Sequence, residues 1–117
     1  MINMGAGKDS VIEFVNAINA NDEVKGMLKN WVKNACYKLE GEDGPFWVEH
    51  KADGSAEFHE GEPDKAHFTF IGPTQIWADI SAGKEDAQKA FFAKKYKIEG
   101  DVMGTMKLLP VIKKLQG

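Results

Sequence analysis

Apolar residues recur at helical spacing through the first third of the chain, change to every second residue from about Ala35, and return to helical spacing near the end. Val11, Phe14, Val15 and Ile18 share one face of a first helix, which Asp9 or Ser10 can cap. Asn21 and Asp22 break the chain and cap it again. The second helix carries Val24, Met27, Leu28, Trp31 and Val32 on one side, and Lys25, Lys29 and Lys33 form a basic edge on another.

The period-two stretch is expected to form strands over 36–40, 46–51, 55–60 and 65–71, with Glu42-Asp43-Gly44 as the first turn. Ala52-Asp53-Gly54 makes a three-residue loop with glycine where positive φ is wanted, and pairs Val48 with Phe58 and Trp47 with His59. Continuing as a meander, the fourth strand is expected beside the third, with Phe58 opposite Phe68 and His59 opposite His67. Ala56, Phe58, Phe68 and Phe70 then share one apolar face.

Pro73 opens a helix with Ile76, Trp77 and Ile80 that stops at Gly83. Asp86 caps a short helix containing Ala90, Phe91 and Phe92, and a fifth strand covers 96–99. Asp101 caps a last helix with Met103, Met106 and Leu109, which continues past a kink at Pro110 to Ile112 and Leu115. These elements imply a single α+β domain over 1–117. Its mainly antiparallel five-stranded sheet has one face under helices from both ends of the chain. The bulky aromatics and methionines of those helices can line a cavity as readily as fill one.

Charge and composition narrow the chemistry. All 15 basic residues are lysine, and the net charge is −3. Without arginine forks or a basic surplus, nucleic acid is not an expected partner. The single cysteine, Cys36, reads as a small buried residue of a strand. No apolar run approaches the roughly 18 residues of a membrane span. The opening residues lack the apolar core of a secretory signal, so a cytoplasmic protein is expected.

No catalytic residue, metal or cofactor is expected either. The chain has no G-x-S-x-G elbow; Ser10, Ser55 and Ser81 fall at caps or turns, and the glycines around Gly5 precede no phosphate-binding strand–helix turn. Asp79, the one acid among residues 76–80, faces away from their apolar side. His50 falls on the opposite sheet face from His59 and His67, which share a solvated face with Glu57 and Thr69. The lysine edge of Lys25, Lys29 and Lys33 suits transient contact with an anionic membrane, or simply solvation of a helix.

Gly83, Asp86, Ala90, Phe91, Lys97-Ile98, Gly100-Asp101 and Met106-Lys107-Leu108 form a pattern of helix stop, cap, close-packed helix, strand, tight turn and final helix. This pattern resembles the sterol carrier protein type-two family. The resemblance implies a hydrophobic tunnel between sheet and helices that accepts a fatty acid, a fatty acyl thioester or a sterol-like lipid, without a cofactor or covalent step. It further implies a lining from Phe58, Phe68, Phe70, Ile76, Trp77, Ile80, Phe92, Met103, Met106 and Leu109. Lys94 departs from it by standing where the family usually has glycine. Leu115-Gln116-Gly117 departs by not being the peroxisomal tripeptide of many eukaryotic members. The alternative is an interaction or regulatory module with a filled tunnel, for which Trp31 and Trp47 would mark contact surfaces.

Overall fold

A computed structural model describes residues 6–41 and 44–116. Helix α1 (Ala6–Asn19) buries Val11, Phe14, Val15 and Ile18 along one face, as their spacing predicts. It begins earlier than expected. Asp9 lies within its first turn, where the helix dipole favours a carboxylate, and neither Asp9 nor Ser10 is the cap.

Asn21 caps α2 (Asp22–Met27), its side chain accepting from the Val24 N–H at 3.0 Å. That helix stops short of Trp31 and Val32. Gly26 weakens its last turn, and Asn30 takes φ 66° while its N–H donates to the Ala52 carbonyl at 2.8 Å. Lys29 therefore lies beyond the helix. Lys33 opens a strand and pairs with Asp101 at 2.9 Å, so Lys25, Lys29 and Lys33 do not form one helical edge.

The sheet consists of β1 (Lys33–Glu40), β2 (Phe46–His50), β3 (Ala56–Glu60), β4 (Phe68–Pro73) and β5 (Lys97–Gly100), in the order β3-β2-β1-β4-β5. Val48 pairs with Phe58 and Trp47 with His59, as the loop length predicts. The fourth strand does not continue the meander. It lies parallel to β1, matching Ala35 with Phe68 and Tyr37 with Phe70. Two strands thus separate Phe58 from Phe68 and His59 from His67.

The cause is the connection over 61–67, which is too long for a tight hairpin. The Gly61 N–H donates to the Pro45 carbonyl, Glu62 pairs with Lys38 on the outer face at 2.8 Å, and the His67 N–H donates to the Asn34 carbonyl. The chain is carried from the Phe46 end of β2 to the Asn34 end of β1. Parallel pairing buries β4 on both faces, with Phe68 and Phe70 inside and Thr69 outside. The more polar β3 stays at the edge, where the Asn19 side chain donates to the Ala56 carbonyl at 2.8 Å and accepts from its N–H at 2.9 Å. Glu42 and Asp43 of the expected first turn lie outside the described residues.

Helices α1, α3 (Thr74–Ser81), α4 (Ala87–Phe92), α5 (Val102–Thr105) and α6 (Leu108–Gln116) complete the helical layer with α2. Asp86 caps α4 and Asp101 caps α5, accepting from the N–H groups of Lys89 and Gly104, each at 2.9 Å. The last helix is two helices. It breaks at Met106-Lys107 rather than at Pro110, which falls in the first turn of α6, where a missing N–H costs nothing. The break turns Leu108, Val111 and Ile112 inward. Among the described residues, no helix is long and apolar enough to cross a membrane.

Two positions test this backbone directly. A Cβ on Gly54, at φ 91°, would lie 1.9 Å from the Lys25 carbonyl oxygen, so Gly54→Ala is expected to cost at least about 2 kcal/mol. Lys94 holds φ 60°, at the position where the family resemblance expects glycine. Lys94→Gly is expected to stabilise by about 0.5 kcal/mol. Urea unfolding of both variants reads the signs, and a stabilising Gly54→Ala or a destabilising Lys94→Gly would contradict this geometry.

His50 supplies a pH test. It is 1 % exposed, its ring meets Trp31 edge-on at 4.8 Å, and neither ring nitrogen has a hydrogen-bond partner among the described residues. Burial pushes its pKa down from 6.5 to about 4. The unfolded chain takes up the proton first as pH falls, so this stability is fully present above pH 6.5 and declines toward pH 4, by about 3 kcal/mol. His50→Leu is expected to remove that part of the slope. Equal pH dependence in parent and variant would show that the buried ring does not carry it.

Candidate functional site

The late strands and the short helices enclose the candidate site. Its floor is Tyr37 of β1, Phe68 and Phe70 of β4 and Ile98 of β5, with Tyr96 just before β5. Its roof is Trp77 and Ile80 of α3, Ala87 of α4, Thr105 of α5, and Leu108, Leu109 and Ile112 of α6. They surround an inner cavity of about 50 Å³. An outer cavity of about 140 Å³ shares Tyr96, Ile98, Thr105 and Leu109 with it and is bounded further by Gln88, Phe91, Phe92, Val102 and Met106. A wider open groove of about 750 Å³ lies alongside, with Phe92 and Tyr96 on its wall and Lys94, Lys95 and Lys97 among its lining residues.

Aromatic contacts fix the floor. Tyr37 meets Trp77 edge-on at 5.0 Å and Phe70 at 6.1 Å, and Phe70 stacks on Tyr96 at 4.5 Å. Gly72 lets Tyr96 cross β4, because a Cβ there would lie 2.9 Å from the Tyr96 Cβ. The Tyr96 hydroxyl donates to the Ala87 carbonyl at 2.8 Å and ties the approach to β5 to α4. Burial, aided by the charge of Asp86, raises the Tyr96 phenol to about 12. Burial likewise raises the Tyr37 phenol, so both lining tyrosines stay neutral at ordinary pH.

Of the residues named from the sequence as a lining, Phe68, Phe70, Trp77, Ile80 and Leu109 come together around the inner cavity. Phe92 and Met106 border the outer one and are 72 % and 41 % exposed. Three stand apart from both cavities. Phe58 packs on Phe46 at 5.5 Å toward the far edge of the sheet, Ile76 packs against the core, and Met103 is 77 % exposed because the helix breaks after it. Tyr37, Tyr96, Ile98, Thr105, Leu108 and Ile112 were not expected there. The alternation of Ala35, Tyr37 and Leu39 and of Tyr96 and Ile98 gives each group a common face, but only the β1–β4 and β4–β5 pairings together bring those faces side by side.

The three histidines are dispersed. His50 is in the core, and the Nδ1 of His67 accepts from the Asn34 N–H at 2.9 Å. His59 lies on the outer sheet face, stacked on half-buried Trp47 at 4.3 Å. Glu49 and Glu57 bring carboxylate oxygens within 4.8 Å of one another and of His59. Within this group the His59 Nε2 is hydrogen-bonded to Glu49 at 3.0 Å, and Glu57 is ion-paired with Lys51 at 2.8 Å. Cys36 is buried on the same face, its thiol pushed up first by burial and then by the charge of Glu62.

The family model of the SCP-2 sterol transfer family matches residues 15–113. Among solved structures, the chain is similar to the sterol carrier protein domain 2 of Helicoverpa armigera (21 % identity, 92 % of this chain and 89 % of that one, TM-score 0.66). It is also similar to sterol carrier protein 2 like 2 from Aedes aegypti (13 % identity, 91 % and 95 %, TM-score 0.64). A third similarity is to the sec-alkylsulfatase Pisa1 from Pseudomonas sp. (16 % identity, 74 % of this chain, TM-score 0.65), of which the chain spans only 14 %. No curated protein matches the chain at a significant level. At these identities the structures establish the shared α+β fold. With the family model matching nearly the whole chain, this protein belongs to the SCP-2 sterol transfer family.

Proposed function

We propose that this chain is a single-domain, non-catalytic carrier that binds an apolar lipid, such as a fatty acid, a fatty acyl thioester or a sterol-like molecule, between β4–β5 and helices α3–α6. The observation that carries this reading is the pair of adjoining cavities that share Tyr96, Ile98, Thr105 and Leu109 and reach exposed Phe92 and Met106. Among the described residues, their lining includes no carboxylate, imidazole, thiol or amine. Such a lining can bind an apolar chain, and its polar side chains are neutral: the phenols of Tyr37 and Tyr96, the Thr105 hydroxyl, the Trp77 indole and the Gln88 amide.

Both cavities are small beside the ligand this reading assigns them, so binding must enlarge them. The weakly held elements are on the correct side. No residue of α5 is buried, and α4 buries only Ala90. Displacing these two helices sacrifices little packing, whereas each methylene taken from water returns about 0.8 kcal/mol. That is enough for micromolar binding after ordering costs.

The narrow inner cavity favours one other reading, an interaction module with a filled tunnel, whose contact surface would be Trp47 beside His59. The two diverge on one experiment. A fluorescent long-chain fatty acid is expected to bind saturably at about micromolar concentration and to be displaced by unlabelled fatty acid. Leu109→Glu, at a half-buried position shared by both cavities, is expected to weaken binding at least about tenfold with the circular dichroism spectrum preserved. Trp47→Ala is expected to leave it unchanged. Absence of saturable binding, or sensitivity to Trp47 in place of Leu109, would reject the carrier.

A further inference from the structure

Tyr37 and Trp77 are 1 % and 4 % exposed, and both line the inner cavity. Among the described residues, the Tyr37 hydroxyl and the Trp77 indole Nε1–H have no hydrogen-bond partner. Buried polar groups are ordinarily paired, so two orphans on residues that line one small cavity call for an explanation. The other polar groups of that lining are already committed. The Tyr96 hydroxyl donates to Ala87 at 2.8 Å, and the Thr105 hydroxyl donates to the Val102 carbonyl at 2.6 Å.

Ring contacts do not satisfy the pair. Trp77 meets Tyr37, Phe70 and Phe14 edge-on at 5.0, 5.5 and 5.7 Å. An aromatic face attracts an N–H only weakly compared with an oxygen acceptor. Resting on the carrier reading above, we propose that the inner cavity takes a lipid whose buried end carries a neutral oxygen, a hydroxyl or a carbonyl, that accepts from Tyr37 and Trp77.

The donor chemistry sets the class. Indole N–H can only donate, so the ligand atom must accept, while the Tyr37 hydroxyl can donate or receive, which suits an alcohol as well as a ketone or ester. Burial raises the Tyr37 pKa and keeps the phenol a neutral donor. Among the described residues no cation lines the inner cavity, so a carboxylate entering this end would lose its hydration without a counter-charge. The oxygen end is therefore innermost, and the apolar body runs past Ile98 and Leu109 toward Met106 and Phe92.

The test is competition against the fluorescent fatty acid by 1-decanol, 1-chlorodecane and decanoate at pH 8. Decanol and chlorodecane have the same chain length but differ in hydrogen bonding. Decanol is expected to compete about tenfold more tightly than chlorodecane, and Tyr37→Phe and Trp77→Phe are each expected to shrink that advantage. The indole N–H resonance lost in Trp77→Phe is expected to move downfield in the parent with decanol and to stay in place with chlorodecane. The Tyr37→Phe protein without ligand is expected to be at least as stable as the parent, because it loses only an unpaired hydroxyl.

Equal competition by decanol and chlorodecane, tighter competition by decanoate than by decanol, or a less stable Tyr37→Phe protein would overturn the head-group assignment and leave the carrier intact. If the fluorescent fatty acid itself does not bind, both fall.

Discussion

The parallel pairing of β4 with β1 is the constraint on which the rest of the molecule depends. It inserts the most apolar late strand beside the fully buried Tyr37 and pushes the polar hairpin strand β3 to the edge. Parallel neighbours need a long crossover, and here the β2–β3 hairpin and the connection over 61–67 provide it. That connection crosses the outer face through the Lys38–Glu62 ion pair, so it does not compete with the helices for the inner face. Were β4 to pair with β3, Phe68 and Phe70 would not meet Tyr37 and the cavity floor would not form.

The same pairing divides the sheet. Under β1, β2 and β3, helices α1 and α2 pack Val11, Ile18, Val24 and Leu28 against Phe46, Val48 and Ala56 in a closed core. Above β4 and β5, α3 and α6 bury Trp77, Ile80, Leu108 and Ile112, while the short capped helices α4 and α5 bury only Ala90. The loosely packed elements are therefore α4 and α5, which border the outer cavity, while α3 and α6 are anchored in the common core.

Much of this was legible in the sequence, for physical reasons. Caps and turns are local, so Asn21, Asp86, Asp101 and the positive φ of Gly54 could be read from short segments, as could the Trp47–His59 register set by loop length. Phe68, Phe70, Trp77, Ile80 and Leu109, which surround the inner cavity, were named as a lining through the family resemblance and not through the local pattern. Long-range choices were not legible. Alternation fixes which residues share a face but not which strand lies alongside, and this is why β4 was expected beside β3. The α2 and α5–α6 boundaries failed for a related reason. Asn30 exchanges a helical hydrogen bond for one to Ala52, a residue remote in sequence, and the break before Leu108 is decided by which residues α6 can bury.

Intermolecular nuclear Overhauser effects test most directly whether a lipid is held between β4–β5 and the helices above them. With a ¹³C-labelled fatty acyl chain bound to the full-length protein, cross-peaks are predicted from the chain to Ile98 and Leu109, with none to Trp47 or His59. Cross-peaks confined to the outer sheet face around Trp47, or their absence at Ile98 and Leu109 in a saturated complex, would contradict it.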